Sequence, residues 1–200
     1  MNAQARANYF DSIYQHLDPF GYRTRWYEAR KREILMATLP RARFARGWEL
    51  GCSNGETTFC LAQRCEQLLA TDMAADAVEQ ARRRVAGCDN VEVVQACHPR
   101  DCPRGSFDLI VVSEVGYYLQ PDELKDLVEQ AQDALTPDGL LVACHWRHPF
   151  EQACQDGVEV HRCIGQLLSL PLAYRYEDSD FLLEAWARRP LSVAQQEGLR

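Results

Sequence analysis

No two cysteines in this 200-residue chain are spaced C-x-x-C, and the nine cysteines are odd in number, so neither a disulfide framework nor a zinc knuckle is written in the sequence. Most are expected to serve as small buried hydrophobes. The nearest approach to a metal set, Cys97-His98 with Cys102, offers three ligands on a loop and no fourth; no metal is expected. No apolar run approaches the roughly 20 residues that a membrane span needs, and the opening Met1-Asn2-Ala3-Gln4-Ala5-Arg6 has neither the apolar segment nor the cleavage pattern of a secretory signal. The expectation is a cytoplasmic protein. Positive charge is not in excess either: the formal net charge is −7. Arg23, Arg25, Arg30, Lys31 and Arg32 alternate with aromatics and acids, as on a solvated helix face rather than a stripe that tracks phosphates. Neither nucleic acid nor membrane is expected as a partner, and no repeat or low-complexity tract interrupts the chain.

What is present suits one hydrophobic core. At 46% hydrophobic and 26% charged residues the composition is that of an ordinary globular domain, and a chain of this length buries roughly 70% of its unfolded surface without a staple. Residues 2–16 read as a first helix, broken at Asp18-Pro19-Phe20-Gly21. A second helix is expected from Thr24, as its cap, to Leu39 before Pro40. Strands follow at 44–50, 67–72, 91–96, 106–113 and 140–145, alternating with helices at 55–65, 76–86, 122–135 and 157–168. The stretch Thr136-Pro137-Asp138-Gly139 reads as a turn, and Asp178-Ser179-Asp180 as a hairpin between 173–176 and 181–186. This alternation implies an α/β fold: a mostly parallel sheet with a C-terminal antiparallel hairpin and helices on both faces. The expected organisation is a helical cap over 1–40, the α/β domain over 41–190, and a flexible tail over 191–200.

The functional signal starts at Trp48-Glu49-Leu50-Gly51-Cys52-Ser53-Asn54-Gly55, where a strand runs into glycines and then into a helix. Such a turn lets a ligand lie against the main chain and presents free N–H groups at the helix start. A dinucleotide fingerprint needs G-x-G-x-x-G, but Ser53 stands where the middle glycine would give a pyrophosphate room. The pattern E-x-G-x-(G/S)-x-G resembles instead the first motif of the class I S-adenosylmethionine (SAM) methyltransferases. Phe107-Asp108-Leu109-Ile110 and Leu135-Thr136-Pro137-Asp138-Gly139-Leu140 fall in that family's order and spacing, so the resemblance covers most of the chain. It implies a Rossmann-like seven-stranded sheet and SAM as cofactor, with S-adenosylhomocysteine (SAH) as product. A narrower likeness, carried by residues 18–32, by Glu49 to Ser53, by Ser113-Glu114-Val115-Gly116-Tyr117-Tyr118-Leu119 and by Glu159-Val160-His161, is to the nodulation protein NodS family. That family N-methylates the free amine at the non-reducing end of deacetylated chitooligosaccharides.

Roles can then be placed on residues. Glu49, Gly51, Cys52, Ser53 and Gly55 form the cofactor cradle. Asp72, at the carboxyl end of the second strand, can take both ribose hydroxyls, whereas Asp76 is the better cap for the helix that follows. The acid that many members carry after strand three is replaced by Gln95-Ala96-Cys97-His98-Pro99, so adenine is expected to rest on Met73 and on backbone at Ala96 and Cys97. Ser113 to Tyr118 should face the methyl group. Glu114 is the first candidate to orient the amine or take its proton, or else to pair with an arginine such as Arg30. His145 is a second base candidate or a wall residue, and His161 a weaker one. Tyr117 and Tyr118 can lie against an acceptor. Trp26 and Arg30 are expected to form a lid, with Arg30 on the SAM carboxylate. Expected partners are a small-molecule or oligosaccharide acceptor, with the chain as a monomer or weak homodimer. An NAD-dependent oxidoreductase, a methyltransferase acting on another metabolite, and a SAM-binding module without catalysis are the competing readings.

Overall fold

Phe107, Leu109, Ile110 and Val111 are all fully buried on one strand, which is only satisfied when both faces of a sheet are covered. In the computed structural model, which describes residues 1–189 and 192–200, that strand is the middle of a seven-stranded sheet. Its members are β1 (Phe44–Leu50), β2 (Cys65–Asp72), β3 (Val91–Gln95), β4 (Phe107–Ser113), β5 (Leu135–Trp146), β6 (Leu172–Glu177) and β7 (Phe181–Ala187), in the order β3-β2-β1-β4-β5-β7-β6. Strands β1 to β5 are parallel, and β7 runs antiparallel to both β5 and β6. The expected mostly parallel sheet with an antiparallel C-terminal hairpin is therefore present.

Alternate side chains divide the core in two. Ile110, Val112, Leu141 and Ala143 face Leu124, Leu127 and Val128 of α5 (Pro121–Ala134) and Val160 and Ile164 of α6 (Gly157–Leu167). Leu109, Val111, Leu140 and Val142 face the other way, towards Leu35 of α2 (Trp26–Thr38) and Leu61 of α3 (Glu56–Ala62). A third cluster packs Val78 and Ala81 of α4 (Ala75–Arg84) on β2 and β3. The strand order reverses direction at β1, between β2 and β4, and the crevice at the carboxyl ends of those strands is where open α/β sheets bind ligands.

Several boundaries differ from the sequence expectation for identifiable reasons. The first helix, α1, spans Ala3–Ile13, with the Asn2 side chain accepting the Ala5 N–H. Thr24 does not cap α2: the Gly21 carbonyl takes the N–H groups of Thr24 and Arg25, and this turn leads into a helix that starts at Trp26 without a side-chain cap. Asp76 does not cap α4 but sits inside its first turn, and the N-cap residue Ala74, which makes no side-chain cap, donates its N–H to the Asp72 carboxylate at 3.0 Å. Thr136-Pro137-Asp138-Gly139 belongs to β5 rather than to a separate turn: Leu135 already pairs with Phe107, the register shifts, and pairing resumes at Leu109 with Leu140. The tail carries one helical turn, α7 (Val193–Gln196), capped by Ser192 and Gln195. Among the described residues no helix is long and apolar enough to cross a membrane.

Ile110 lies in the central strand with no exposed surface. Ile110→Ala is expected to lower the unfolding free energy by about 2–5 kcal/mol, read from urea denaturation, without a change in the transition slope.

Candidate functional site: a cradle, a roof and a buried carboxylate

The cradle follows β1 directly. Gly51 has φ +70°, and a Cβ there would stand 2.3 Å from Val115 Cγ2, so only glycine lets the loop pass under the continuation of β4. The N–H groups of Gly51 and Cys52 both donate to the Thr71 carbonyl, at 2.8 and 2.9 Å, and the Ser53 N–H donates to Asp72 Oδ2 at 2.9 Å. Ser53 is itself left-handed, with φ +51°. Cys52 turns into the cluster beneath α4. Gly55, expected on the cofactor, serves helix packing as well. A Cβ at that residue would meet Ala81 Cα at 2.8 Å, so its bare backbone is what lets α3 sit against α4.

Between this cradle and the N-terminal segment lies a partly open cavity. Gly51, Ser53, Asp72, Met73, Ala96 and His98 line one side, and Glu114, Val115, Tyr118 and Leu119 another. Phe10, Tyr14, Phe20 and Tyr22 form a roof. The roof is fastened at both ends. Tyr14 donates its hydroxyl to Ser53 Oγ at 2.7 Å, Asn54 Nδ2 donates to Asp18 Oδ1 at 3.1 Å, and Gln80 Nε2 donates to the Tyr14 carbonyl at 3.0 Å. On α1 the buried Arg6 donates to both Glu123 oxygens, at 2.8 and 2.9 Å, and to the Tyr118 carbonyl at 3.0 Å. Arg6 and the roof aromatics were not among the expected site residues. Their signal in the sequence is the aromatic density between Tyr9 and Tyr22, which otherwise reads as helix packing.

Beside the cavity, Glu28, Lys31, Glu49, Ser113 and Glu114 line an adjoining recess. Glu49 is buried and its Oε2 has no hydrogen-bond partner among the described residues; burial pushes its carboxyl up to about 8. An unpaired buried carboxyl oxygen is costly and is suited to receive an ammonium group. Asp72 keeps free lone pairs on both oxygens after taking one N–H on each, and burial raises its pKa as well.

Glu114 stands at the carboxyl end of β4 in a left-handed conformation, φ +58°, a strain that persists only where surroundings enforce it. Its Oε1 accepts from Lys31 Nζ at 2.7 Å, and its Oε2 accepts from the Tyr117 hydroxyl in a very short contact and from the Trp146 N–H at 3.3 Å. Lys31 also reaches Glu28 Oε2 at 3.0 Å. Burial opposes the Lys31 charge, but Glu114 and Glu28 together push its pKa up, so it stays an ammonium. Burial and the neighbouring Glu114 likewise keep the Tyr117 phenol protonated. The partner of Glu114 is thus Lys31 and not Arg30. Arg30, one residue earlier and 100° around α2, donates to Asp178 Oδ2 at 2.7 Å and to the Tyr176 hydroxyl at 2.8 Å. Trp26 is 70% exposed. Neither forms the lid that the sequence led us to expect.

The two histidines also fall differently. His145 has no exposed surface; its Nε2 accepts the Gly116 N–H at 3.0 Å, and its Nδ1 lies 3.1 Å from His161 Nε2. No lone pair is left for an acceptor and His145 lines neither the cavity nor the recess, so it is a hydrogen-bonded core residue and neither a base nor a wall residue. His161 lies behind it, bonded to Glu184, away from the cavity. Tyr117 is buried on Glu114, while Tyr118 reaches the cavity wall. Cys97 stops short of the cavity, its N–H on Asp101, and the next residue, His98, takes the wall position. The Thr71 hydroxyl donates to the Glu49 carbonyl, so His98 Nε2–H donates to Thr71 at 2.9 Å. Its Nδ1 faces Cys102 Sγ at 3.7 Å, and burial lowers its pKa to about 4.

A family described as a methyltransferase domain matches residues 48–139. The chain is 43% identical to a protein from Pseudomonas syringae whose crystal structure is assigned as a methyltransferase, over 82% of this chain and all of that one, with a TM-score of 0.74. Sheet, cradle and sequence together define a SAM-dependent methyltransferase of class I, and the chain belongs to that family. Within it the chain is NodS-like. It is 32% identical to nodulation protein S of Rhizobium tropici over 114 residues, which are 56% of this chain and 48% of that protein. It superposes with a TM-score of 0.77 at 23% identity on the N-methyltransferase NodS of Bradyrhizobium japonicum WM9 in complex with SAH, covering 90% of this chain and 97% of that one. The chain spans about half the length of the curated relatives it matches.

The family's cofactor is SAM, and the residues fit it. Glu49 Oε2 offers an unpaired acceptor for the ammonium, Gly51 leaves the backbone bare, and Asp72 has acceptor capacity for a ribose. The raised Glu49 pKa also sets a pH dependence. Since its ionised form is disfavoured in the folded, ligand-free protein, stability is fully present below the ordinary value of 4.5 and lost as pH rises towards about 8. Glu49→Gln is expected to remove that loss, which amounts to at most about 1.4 kcal/mol per pH unit. Thermal unfolding of both proteins at a series of pH values measures it.

Proposed function

We propose that this protein N-methylates the free amine of a small-molecule or oligosaccharide acceptor, with a deacetylated chitooligosaccharide as the first acceptor to test. The observation that carries the reading is Glu114. It is a carboxylate at the end of β4, held by Lys31, Tyr117 and the Trp146 N–H, that borders both the cavity and the recess. Bound SAM supplies a methyl group on a positively charged sulfur. The chain's own task is to bring an amine lone pair into line with it. An amine that arrives as ammonium must give up one proton before its nitrogen has that lone pair. Glu114 Oε1 retains a lone pair beyond its bond to Lys31, so it can orient the ammonium form and accept that proton. Lys31 and Tyr117, both kept protonated, fix the carboxylate without competing for the proton. Asp72 holds the ribose hydroxyls, and Tyr118 with the roof aromatics shapes the acceptor side.

The likeness to a protein described as an N-methyltransferase supports the amine, and the sugar rests on the NodS resemblance in the sequence. The decisive experiment is mass spectrometry of a deacetylated chitooligosaccharide and a panel of small amines and alcohols, each incubated with SAM and the protein. A gain of about 14 mass units on the sugar amine supports the full reading. A gain on another amine alone discards the sugar, and no gain on any acceptor with SAH still bound favours a binding module.

Two substitutions separate binding from chemistry. Glu114→Gln is expected to lower kcat about 100- to 10,000-fold while SAH affinity, read by calorimetry, stays within a few-fold of wild type. Asp72→Ala is expected to weaken SAH about tenfold or more, through loss of charge-assisted hydrogen bonds to the ribose; unchanged affinity would remove the ribose assignment.

A further inference from the structure

Behind the site wall runs a chain of hydrogen bonds that the methyl-transfer chemistry does not itself use. It begins at the Gly116 N–H, which can only donate, so His145 Nε2 at 3.0 Å is an acceptor. A neutral imidazole then carries its proton on Nδ1, and that proton points to His161 Nε2, 3.1 Å away. His161 in turn carries its proton on Nδ1, 2.9 Å from Glu184 Oε2. Glu184 Oε1 accepts from Arg175 at 3.0 Å. Each link dictates the next. His145, His161 and Glu184 are all buried, where polar groups are expensive unless they are satisfied, and here every ring nitrogen is.

The groups facing these side chains come from five elements: Lys31 of α2, Tyr117 after β4, His161 of α6, Arg175 of β6 and Glu184 of β7. Burial, His161 and Lys31 hold His145 well below the ordinary histidine value, consistent with a neutral ring. The anchored backbone is the one next to Glu114. The Glu114 N–H donates to the Cys144 carbonyl at 2.9 Å, and two residues on the Gly116 N–H meets the ring of His145. Thus the end of β5 grips both sides of the strained turn. Gly116 has no room for a side chain there, since a Cβ would stand 2.4 Å from Val160 Cγ1 and 3.0 Å from His145 Nε2.

We propose that His161 is a positioning residue for methyl transfer: clasped between Glu184 and His145, it fixes the His145 proton on Nδ1, so that Nε2 anchors Gly116 and thereby the turn that presents Glu114 and Tyr117. The kinetic part of this proposal rests on the methyl-transfer reading above; the tautomer part does not.

The test compares the full chain with His161→Gln and His161→Leu. A glutamine can accept the His145 proton on its carbonyl and donate its amide to Glu184, restoring the order of donors, whereas leucine can do neither. In ¹⁵N NMR of the histidine side chains, wild type and His161→Gln are expected to show His145 protonated on Nδ1 and bare on Nε2 from about pH 5.5 to 8.5. His161→Leu should lose that single tautomer. In kinetics with the best acceptor, His161→Gln should stay within a few-fold of wild type, and His161→Leu should lose about tenfold or more in kcat with SAH affinity unchanged. A wild-type His145 protonated on Nε2 would overturn the proposal without any variant, which covers the case in which the leucine variant does not fold. So would a folded His161→Leu with full kcat. A wild type that shows the tautomer but methylates nothing would sink the methyl-transfer reading and the positioning role with it.

Discussion

A buried ammonium cannot be left without partners, and the position of Lys31 between Glu28 and Glu114 organises much of what surrounds it. Removing such a charge from water is expensive, and only close carboxylates offset the cost. The pair therefore fixes the rotation of α2 about its axis, and Leu35, one turn further on, then meets the sheet. It also fixes Glu114, which brings the end of β4 under the N-terminal segment. The positive φ at Glu114 and the close approach of Gly51 to Val115 follow from bringing two strand ends and one helix to a single point.

The sheet was legible in the sequence because its evidence is repeated. Continuous apolar runs such as Leu109 to Val112 and Leu140 to Ala143 admit few other readings, and the glycine loop marks the first βα junction. The positions of the glycine loop and of Asp72 were legible for the same reason, being tied to a strand end. The face of α2 was harder. Its buried side is Glu28, Lys31 and Leu35, spaced three and four residues apart as a core stripe should be, yet two of the three are charged. A pattern sought in apolar residues alone therefore gives the wrong phase, and with it Arg30 in place of Lys31. The histidines misled for a related reason: a polar residue at a strand end near a crevice resembles a base until its hydrogen bonds are traced. Gly55 shows a third kind of ambiguity, since one glycine in a motif can answer to a ligand or to a neighbouring helix.

Glu49 and Lys31 illustrate two opposite ways of burying an ionisable group. The lysine is matched by carboxylates on two sides, whereas Glu49 retains an oxygen with nothing to accept. In a protein interior where most polar atoms are paired, that oxygen and the likewise unpartnered Asn54 Oδ1 both belong to residues that line the recess beside the glycine loop.

The roof over the cavity belongs to a small satellite cluster, in which Tyr14 packs with Ala74 and Ala77 and is flanked by Phe10, Ile13 and Phe20. The two large clusters on the faces of the sheet are built from other side chains, apart from Phe10, which touches one of them. The roof is thus packed apart from most of the sheet, yet it is tied to the glycine loop through Ser53 and Asn54. A change of bulk at Phe10, Tyr14, Phe20 or Tyr22 reshapes the cavity directly, whereas a change at Arg6 or Asp18 also loosens the Tyr118 carbonyl or Asn54 that it holds. The ceiling of the cavity can therefore change shape through its aromatic faces while its polar fastenings stay in place.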